Sequence, residues 1–301
     1  MTAIDELGVE LTDTTEATDE ADAAAALDIR SCDLPAVLSL IQASTPGPDA
    51  PPLRVRDLIH GRLRAAACDD VADPRTLLTA LPHASERSVE GLRLIDLPEP
   101  GEVSDLPLAE AIETRRSSTG FGDDPVPLET LSALLDTAAG VREYLPGYNI
   151  RDFPFRRAPS AGGLAPVDIY LVANAVEGLD QGLYYYQPSG HRLAQIDAGT
   201  MRGKLAEAVI AAEWIFYAPV VFLLAVSMPR VDWKYGARAY RFVHVDVGVL
   251  TQNLYLVGTA LNLTTCAVAA FDDDSVNELA RIDGREEFVS LLFACGMPAG
   301  K

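Results

Sequence analysis

The sequence predicts an α+β fold, because strand-like and helix-like segments interleave along the last two-thirds of the chain. Three runs rich in β-branched and aromatic residues, VDIYLVAN, GLYYYQ and APVVFLLAVS, have the length and composition of strands. Segments whose apolar residues recur at helical spacing lie between them. The SGH turn at residues 189–191 follows the second run and leads into RLAQID, which indicates a hairpin. With 301 residues and 49% hydrophobic content, the chain can bury a sizeable core in one large domain or two.

The charge and cysteine content exclude several classes of partner. The 24 Lys and Arg residues against 44 Asp and Glu residues give a net charge of −20, whereas nucleic acid and anionic membranes both require a positive surface. The four cysteines lie far apart and form no CxxC pair, so we expect no metal site, no disulfide framework and a cytoplasmic location. We expect neither a secretion signal nor a transmembrane helix, since no stretch reaches about 18 uninterrupted apolar residues.

Composition divides the chain into four parts. Residues 1–30 carry nine acids and one arginine, which predict a disordered acidic tail. Residues 31–95 contain short helix-like segments between Pro-rich breaks, which predict a small helical appendage. Residues 96–107, rich in proline, glycine and acids, predict a linker into a main domain over residues 108–301.

Each element of the main domain has a local signal. LAEAIETRRS, from Leu108, has the pattern of an amphipathic helix that ends in two arginines, and Pro127–Ala139 is a helix that closes at Gly140. Polar and aromatic residues mix over residues 141–157, which predicts irregular structure. The pattern further predicts strands over 167–174, 182–187 and 218–227, helices over 201–213 and 275–281, a solvated turn with a helix N-cap at Asp272–Asp274, and a last strand from Glu287.

The stretch from Asp232 to Leu263 predicts a long, buried helix. It opens with polar and charged residues and is then apolar on nearly every side. Burying such groups costs free energy unless something pairs with them. The polar entrance to this helix is therefore the first indication of a functional site, with its groups at Lys234, Tyr235, Arg238 and Arg241.

Three segments have both a functional and a plain structural interpretation. The arginines and the serine of Arg115–Ser117 suit the oxygens of a phosphate, or they form a solvated helix C-terminus. The two glycines within Pro159–Pro166 let the backbone lie against a planar ligand, or they form an ordinary turn. Lys234–Tyr235 is part of a site, or it is an extended lysine beside a packed tyrosine.

Five motifs in order resemble one family: RRSSTGF, PSAGGLAPVDIYLV, GLYYYQPSGHRL, KYGARAYRFVHVDVGVLTQNL and FDDDSVNELARIDGREE. They are similar to motifs of the SagB/ThcOx-type dehydrogenases of the FMN-dependent nitroreductase superfamily, which includes azoline oxidases of ribosomal peptide biosynthesis. The resemblance covers about residues 108–299. It implies the nitroreductase-like fold, a central, mainly antiparallel sheet flanked by helices, and a homodimer that holds FMN at its interface.

The resemblance also implies roles for individual residues. Lys234 and Tyr235 match the Lys-Tyr pair that azoline oxidases need for catalysis. Positions that match cofactor-binding residues are Arg115, Arg116 and Ser117 near the ribityl phosphate, Pro159, Ser160, Ala161, Gly162 and Gly163 along the isoalloxazine ring, and Arg241 and Asn253 in the long helix.

The chain departs from the family pattern at several positions. Thr119 stands where a third arginine is usual, and Ala165 and Val249 stand where histidines are usual. Ala269 or Ala270 replaces a glycine ahead of the FDDD segment. Loss of a cation and two imidazoles implies a tighter or altered flavin pocket, or lost flavin affinity.

The hypothesis that follows is an FMN-dependent oxidation of thiazoline or oxazoline rings in a peptide. Removing two hydrogens requires a hydride acceptor, which is FMN, and a base. Tyr235 or Lys234 is the expected base, with a pKa lowered by burial near other cations. Two alternatives stay open: an NAD(P)H-dependent reductase of nitro, quinone or enone substrates, and a non-catalytic scaffold. The expected partners are a second copy of the chain, a peptide or small-molecule substrate, and cyclodehydratase components.

Overall fold

A seven-stranded antiparallel sheet lies at the centre of the computed structural model, which describes residues 85–148 and 150–300. Its strands are in the order β1-β6-β5-β4-β7-β9-β8. A separate two-stranded hairpin, β2-β3, lies outside this sheet. The strands are β1 Arg93–Asp96, β2 Val141–Gly147, β3 Ile150–Arg156, β4 Val167–Ala173, β5 Gly182–Gln187, β6 Arg192–Ala198, β7 Val220–Ser227, β8 Thr264–Val268 and β9 Glu287–Gly296.

Strand β7 shows why the sheet is covered on both faces. All eight of its residues are buried, and successive side chains point to opposite faces. Phe222, Leu224 and Val226 belong to one apolar core, whereas Leu223 and Ala225 belong to the other. A continuous apolar run therefore forms a central strand between two layers, which confirms the predicted α+β fold.

Helices cover both faces of the sheet. They are α1 Leu108–Thr114, α2 Leu128–Ala139, α3 Arg202–Ala208, α4 Asp232–Tyr235, α5 Ala239–Ala260 and α6 Asp273–Ala280. Helices α2 and α5 pack in the first core, and α3 and α6 in the second. The N-cap predicted in the acidic run is confirmed, since the Asp272 carboxylate accepts a hydrogen bond from the Ser275 N–H at 2.9 Å. Of the helices within the described ranges, none is long and apolar enough to cross a membrane.

The long helix predicted from Asp232 is interrupted. Gly236 has a φ of 54°, a left-handed conformation that glycine adopts readily, and it ends α4 after four residues. A 3₁₀ turn over Gly236–Arg238 then leads into α5. Helix α5 is also not buried all round, because Val245 on its outer face is 56% exposed. The helix was predicted to be buried on nearly every side because apolar residues also occur on this outer face.

Residues 141–157, expected to be irregular, form the β2-β3 hairpin. The prediction was wrong because Phe153 is the only buried residue in these two strands, so the sequence lacks the alternation that burial on one face imposes. Two register irregularities and Pro146 further obscure the pattern. Strand β8 was also missed, since the sequence was taken as passing from the long helix directly to a turn.

The boundaries of the main domain and of one helix also need correction. Strand β1 pairs with β6, so Arg93–Asp96 is the edge strand of the main sheet and lies neither in the helical appendage nor in the linker. The acidic tail and the rest of the appendage up to residue 84 lie outside the described residues. Helix α3 ends at Ala208 and not at residue 213, and a 3₁₀ turn over Glu213–Tyr217 follows it.

Candidate active site

The glycine-containing segment between β3 and β4 forms a loop that is exposed at Pro159 and Gly162. Gly162 and Gly163 have φ values of 62° and 70°, which side-chain-bearing residues rarely adopt. The Ala161 N–H donates to both oxygens of the Asp246 carboxylate, at 3.1 and 3.0 Å. The Ala165 N–H donates to Ser160 Oγ at 2.9 Å. Helix α5, which carries Asp246, therefore holds the loop in place.

Lys234 and Tyr235 contact this loop at Gly162. A Cβ atom placed on Gly162 would lie 2.6 Å from Tyr235 Oη and 2.7 Å from Lys234 Nζ. Any side chain at this position would therefore displace the two groups. The structure brings together the loop and the Lys-Tyr pair, two clusters that lie about 70 residues apart in the sequence; their roles remain predictions.

A third side chain, Tyr148 of the β2-β3 hairpin, completes this cluster. Lys234 Nζ donates to Tyr148 Oη at 2.7 Å and lies 4.7 Å from the centre of its ring. The Tyr148 hydroxyl in turn donates to the Gly162 carbonyl. The ring of Tyr235 lies 5.2 Å from Lys234 Nζ on another side. The ammonium group of Lys234 thus lies between the phenols of Tyr148 and Tyr235, next to the exposed Gly162.

The electrostatics of Lys234 differ from the prediction. Burial lowers the pKa of Lys234, but the hydrogen bond to Tyr148 and the nearby phenols of Tyr148 and Tyr235 raise it, and the net direction is upward. The expected lowering of this pKa by burial and by neighbouring cations is therefore wrong. Lys234 is surrounded by acceptors, remains an ammonium group and donates hydrogen bonds.

The predicted phosphate-binding residues lie after α1. The Arg115 guanidinium lies 5.0 Å from the ring centre of Tyr255, and its Nη1 donates to Ser117 Oγ at 3.5 Å. Ser117 Oγ is also 3.0 Å from Tyr255 Oη. Arg116 is exposed and donates to the Glu113 carbonyl at 2.7 Å. Arg115 and Ser117 are thus ordered by Tyr255, and Arg116 caps the end of α1.

The glycine loop and the group formed by Arg115 and Ser117 contact different parts of α5. Tyr255 lies nine residues after Asp246, which is about 14 Å along a helix axis. Asn253 is turned to α2, where its amide donates to the Ala138 carbonyl at 3.3 Å. Arg241 is exposed on α5. Neither Asn253 nor Arg241 has a hydrogen bond to the glycine loop among the described residues.

Three of the departures from the family pattern, Thr119, Ala165 and Val249, have distinct settings. Thr119 is exposed after the arginine cluster, and Val249 is half-buried on α5. Ala165 has a φ of 47°, and its carbonyl accepts from Arg230 Nη1 at 3.3 Å. The loop therefore keeps its conformation with alanine at position 165, held by Ser160 and Arg230 rather than by an imidazole.

Sequence reasoning missed three residues of the site: Tyr148, Asp246 and Tyr255. Asp246 had a usable signal, because an acid within an otherwise apolar helix needs a partner when it is buried. Tyr255 lies in the same helix but has no feature that separates it from a core aromatic. Tyr148 had no signal, since its hairpin was predicted to be irregular.

Replacing Asp246 with Asn is expected to remove a pH-dependent part of the stability. Burial raises the pKa of Asp246 to about 6, although the Ala161 N–H opposes this. The folded chain therefore binds more protons at this site than the unfolded chain between about pH 4 and pH 6. The stability that Asp246 contributes is fully present below this window and is lost as the pH rises through it.

The measurement is the free energy of unfolding of wild type and Asp246→Asn, by urea titration at several pH values. The difference in unfolding free energy between wild type and variant should change by no more than about 3 kcal/mol between about pH 4 and pH 6. Wild type should lose stability relative to the variant as the pH rises. A difference that is constant from about pH 4 to pH 7 contradicts the assignment.

Sequence comparison matches the chain to one protein family and to individual proteins. The model of the family described as "Nitroreductase family" matches residues 112–297. A nitroreductase-type protein of Methanocaldococcus jannaschii is 33% identical over 207 residues, which cover 69% of this chain and 96% of that protein. The trifolitoxin-processing protein TfxB of Rhizobium leguminosarum bv. trifolii is 24% identical over 215 residues, which cover 68% of this chain and 56% of TfxB.

Solved structures show the same fold. A nitroreductase-type protein of Ralstonia eutropha has a TM-score of 0.58 and 26% identity, over 74% of this chain and 96% of that one. One of Anabaena variabilis has a TM-score of 0.63 and 24% identity over 84% of this chain, which spans about half (49%) of the Anabaena chain. A chain of the E. coli microcin synthetase complex McbBCD with truncated pro-MccB17 has a TM-score of 0.53 and 17% identity, over 87% of this chain and 93% of that one.

Proposed function

The chain belongs to the nitroreductase family, and we propose that it is an FMN-dependent dehydrogenase that oxidises thiazoline or oxazoline rings of a peptide to thiazole or oxazole. The family makes it an oxidoreductase of the FMN type; the ring substrate is the proposal. The observation that carries it is the contact of Lys234 and Tyr235 with Gly162. A proton-handling pair lies directly on the loop expected to lie along the flavin ring, which a simple hydride-passing reductase does not require.

The described residues fit FMN. Gly162 is exposed, and the space on the side where a Cβ atom would lie is filled by Tyr235, Lys234 and Tyr148, so a planar ring can approach the loop from its open side. Exposed Arg116 and half-exposed Arg115 are available to the phosphate, with the Ser117 hydroxyl beside them. We propose that these residues hold the phosphate and that Pro159–Gly163 lies along the ring.

Ring oxidation removes a hydride from one ring carbon and a proton from its neighbour. When bound, FMN supplies the hydride acceptor. The proton goes to the phenol oxygen of Tyr235, because Lys234 stays protonated and does not accept it. Tyr235 accepts the proton in its phenolate form, and the Lys234 ammonium group lies 5.2 Å from the centre of its ring. Lys234 therefore stabilises charge on Tyr235, and the azoline loses two hydrogens in total.

A peptide substrate is supported by the similarity to TfxB, which is a trifolitoxin-processing protein. This similarity is in line with the SagB/ThcOx-type resemblance of the motifs in this chain. We propose that a cyclodehydratase forms the azoline rings before this chain oxidises them.

We propose a homodimer as the functional unit. Leu108 and Ile112 of α1 are 65% and 56% exposed, and Val245 of the adjacent helix α5 is 56% exposed. Large apolar side chains on neighbouring helices favour burial against another surface. A second copy of the chain covers them in this proposal and brings a second set of site residues to each flavin.

A second candidate function is the reduction of nitro, quinone or enone compounds by NAD(P)H. The 33% identity to a nitroreductase-type protein favours it. A third, the non-catalytic scaffold, is motivated by Thr119, Ala165 and Val249 at positions where the family carries a cation and imidazoles.

The experiment that separates these functions starts from the visible spectrum of the purified chain after FMN is added and the excess removed. We expect flavin bands to stay with the protein; a protein that does not retain FMN is a scaffold. Without air, a thiazoline-containing peptide should then bleach these bands. Bleaching by NADPH alone, with no response to the peptide, supports the reductase.

A further inference from the structure

Tyr148 is in a hairpin outside the main sheet, yet its hydroxyl contacts two separate parts of the site. It accepts from Lys234 Nζ at 2.7 Å and donates to the Gly162 carbonyl. A phenol has one proton and a carbonyl has none, so the directions of both bonds are fixed. The Tyr148 proton goes to Gly162, and the proton between Tyr148 and Lys234 comes from the lysine.

The position of Tyr148 is set by the surrounding chain. Its backbone has a φ of 51°, a conformation that is uncommon for a residue with a side chain. Its ring packs edge-on against Phe153 and Trp233, with ring centres 5.2 and 5.8 Å away. The Trp233 indole N–H donates to the Arg230 carbonyl at 2.9 Å, which anchors the segment that carries Lys234. The hydroxyl is therefore aimed at Lys234 by the packing of its ring against two aromatic side chains.

We propose that Tyr148 is a positioning residue that holds Lys234 as an ammonium group against Gly162 and thereby leaves Tyr235 as the proton acceptor. The inference rests on the proposed function for the role of Tyr235, but the placement of Lys234 by Tyr148 is independent of it. Tyr148 and Tyr235 are the titratable groups that act on Lys234 within the described ranges, one from the hairpin and one from its own helix. Of the two rings, that of Tyr148 lies nearer to Lys234 Nζ, with its centre 4.7 Å away against 5.2 Å for Tyr235.

The first test measures Lys234 itself and needs no turnover. The chain has three lysines, Lys204, Lys234 and Lys301, so labelling of each amine by acetic anhydride can be followed by mass spectrometry. Only the neutral amine reacts. In Tyr148→Phe the ring stays over the amine but the acceptor is lost, and Lys234 should label about threefold to tenfold faster, because loss of this hydrogen bond lowers the pKa of Lys234. Lys204 is the internal reference.

A matched variant controls for general effects on the hairpin. Tyr144→Phe removes the hydroxyl of an exposed tyrosine on β2, which lies 3.4 Å from the Ser189 carbonyl. It should leave Lys234 labelling unchanged. Unchanged Lys234 labelling in a folded Tyr148→Phe protein overturns the proposal, and so does an equal increase in Tyr144→Phe. If Tyr148→Phe does not fold, Tyr148→Leu is used, since a leucine side chain also has no acceptor.

The second test uses the pH profile of flavin reduction by the azoline peptide. In Tyr148→Phe the maximal rate should fall about tenfold, with the peptide KM unchanged, and the decline at alkaline pH should begin at lower pH because Lys234 loses its proton earlier. A purely structural role lowers the rate equally at every pH. If the peptide reduces no flavin in wild type but Lys234 labelling responds as expected, the proposed function fails and the role of Tyr148 stands.

Discussion

Replacing Lys234 with Met, or Tyr235 with Phe, is expected to slow flavin reduction by an azoline peptide by about 100-fold or more, the range that a positioned acid–base group contributes. In the proposed mechanism, Tyr235→Phe removes the oxygen that accepts the proton, and Lys234→Met removes the charge that stabilises it. Both side chains are half-buried and lie at the loop surface, so the fold and the retention of FMN should persist. Single-turnover absorbance measurements without air give the rate directly.

The chain offers matched controls for both substitutions. Lys204 is exposed on α3, and Tyr144 is exposed on the hairpin, so Lys204→Met and Tyr144→Phe should keep the wild-type rate. Reduction of FMN by the peptide at the wild-type rate in both Lys234→Met and Tyr235→Phe would show that the pair takes no part in proton transfer.

Replacing Asp168 with Ala is expected to cost about 3 kcal/mol of unfolding free energy or more. Asp168 on β4 and Arg230, just before α4, form a buried bidentate pair, with Nη1–Oδ1 and Nη2–Oδ2 distances of 2.9 and 2.6 Å. The Tyr185 hydroxyl adds a third bond to Asp168 at 3.1 Å. Removing the carboxylate leaves the guanidinium charge inside the protein with weaker compensation, and the segment that leads to Lys234 loses its anchor.

An exposed pair on the same sheet is the control. Arg93 and Asp180 lie 3.4 Å apart with side chains 65% and 76% exposed, so Asp180→Ala should change the free energy of unfolding by less than about 1 kcal/mol. Urea titration of both variants gives the comparison. Equal, small changes for Asp168→Ala and Asp180→Ala would mean that the buried pair contributes no more than a surface pair.

The fold was predictable where burial imposes a pattern. The apolar run of β7 and the amphipathic pattern of α2 have strong periodicities, and both elements lie where the sequence placed them, within one or two residues. The β2-β3 hairpin was not predictable, because only one residue of its two strands is buried and burial therefore imposes no period on the sequence. The break in the long helix depends on one glycine, Gly236, whose conformation the sequence permits but does not require.

The site was predictable in its parts but not in its assembly. The glycine loop and the Lys-Tyr pair were identified from short motifs, and their contact at Gly162 follows from the antiparallel sheet that brings β4 beside β7. The protonation of Lys234 depends on Tyr148, which approaches from a hairpin with no sequence signal. The sign of the pKa shift of Lys234 therefore required the structure.

Anaerobic mixing of the FMN-loaded chain with a peptide that carries one thiazoline ring tests the proposed function most directly. We expect the flavin absorbance to bleach and the peptide to lose two hydrogens by mass, one ring per flavin, while NADPH alone bleaches it far more slowly. Fast bleaching by NADPH with an unchanged peptide mass would contradict the azoline dehydrogenase and identify the chain as a reductase.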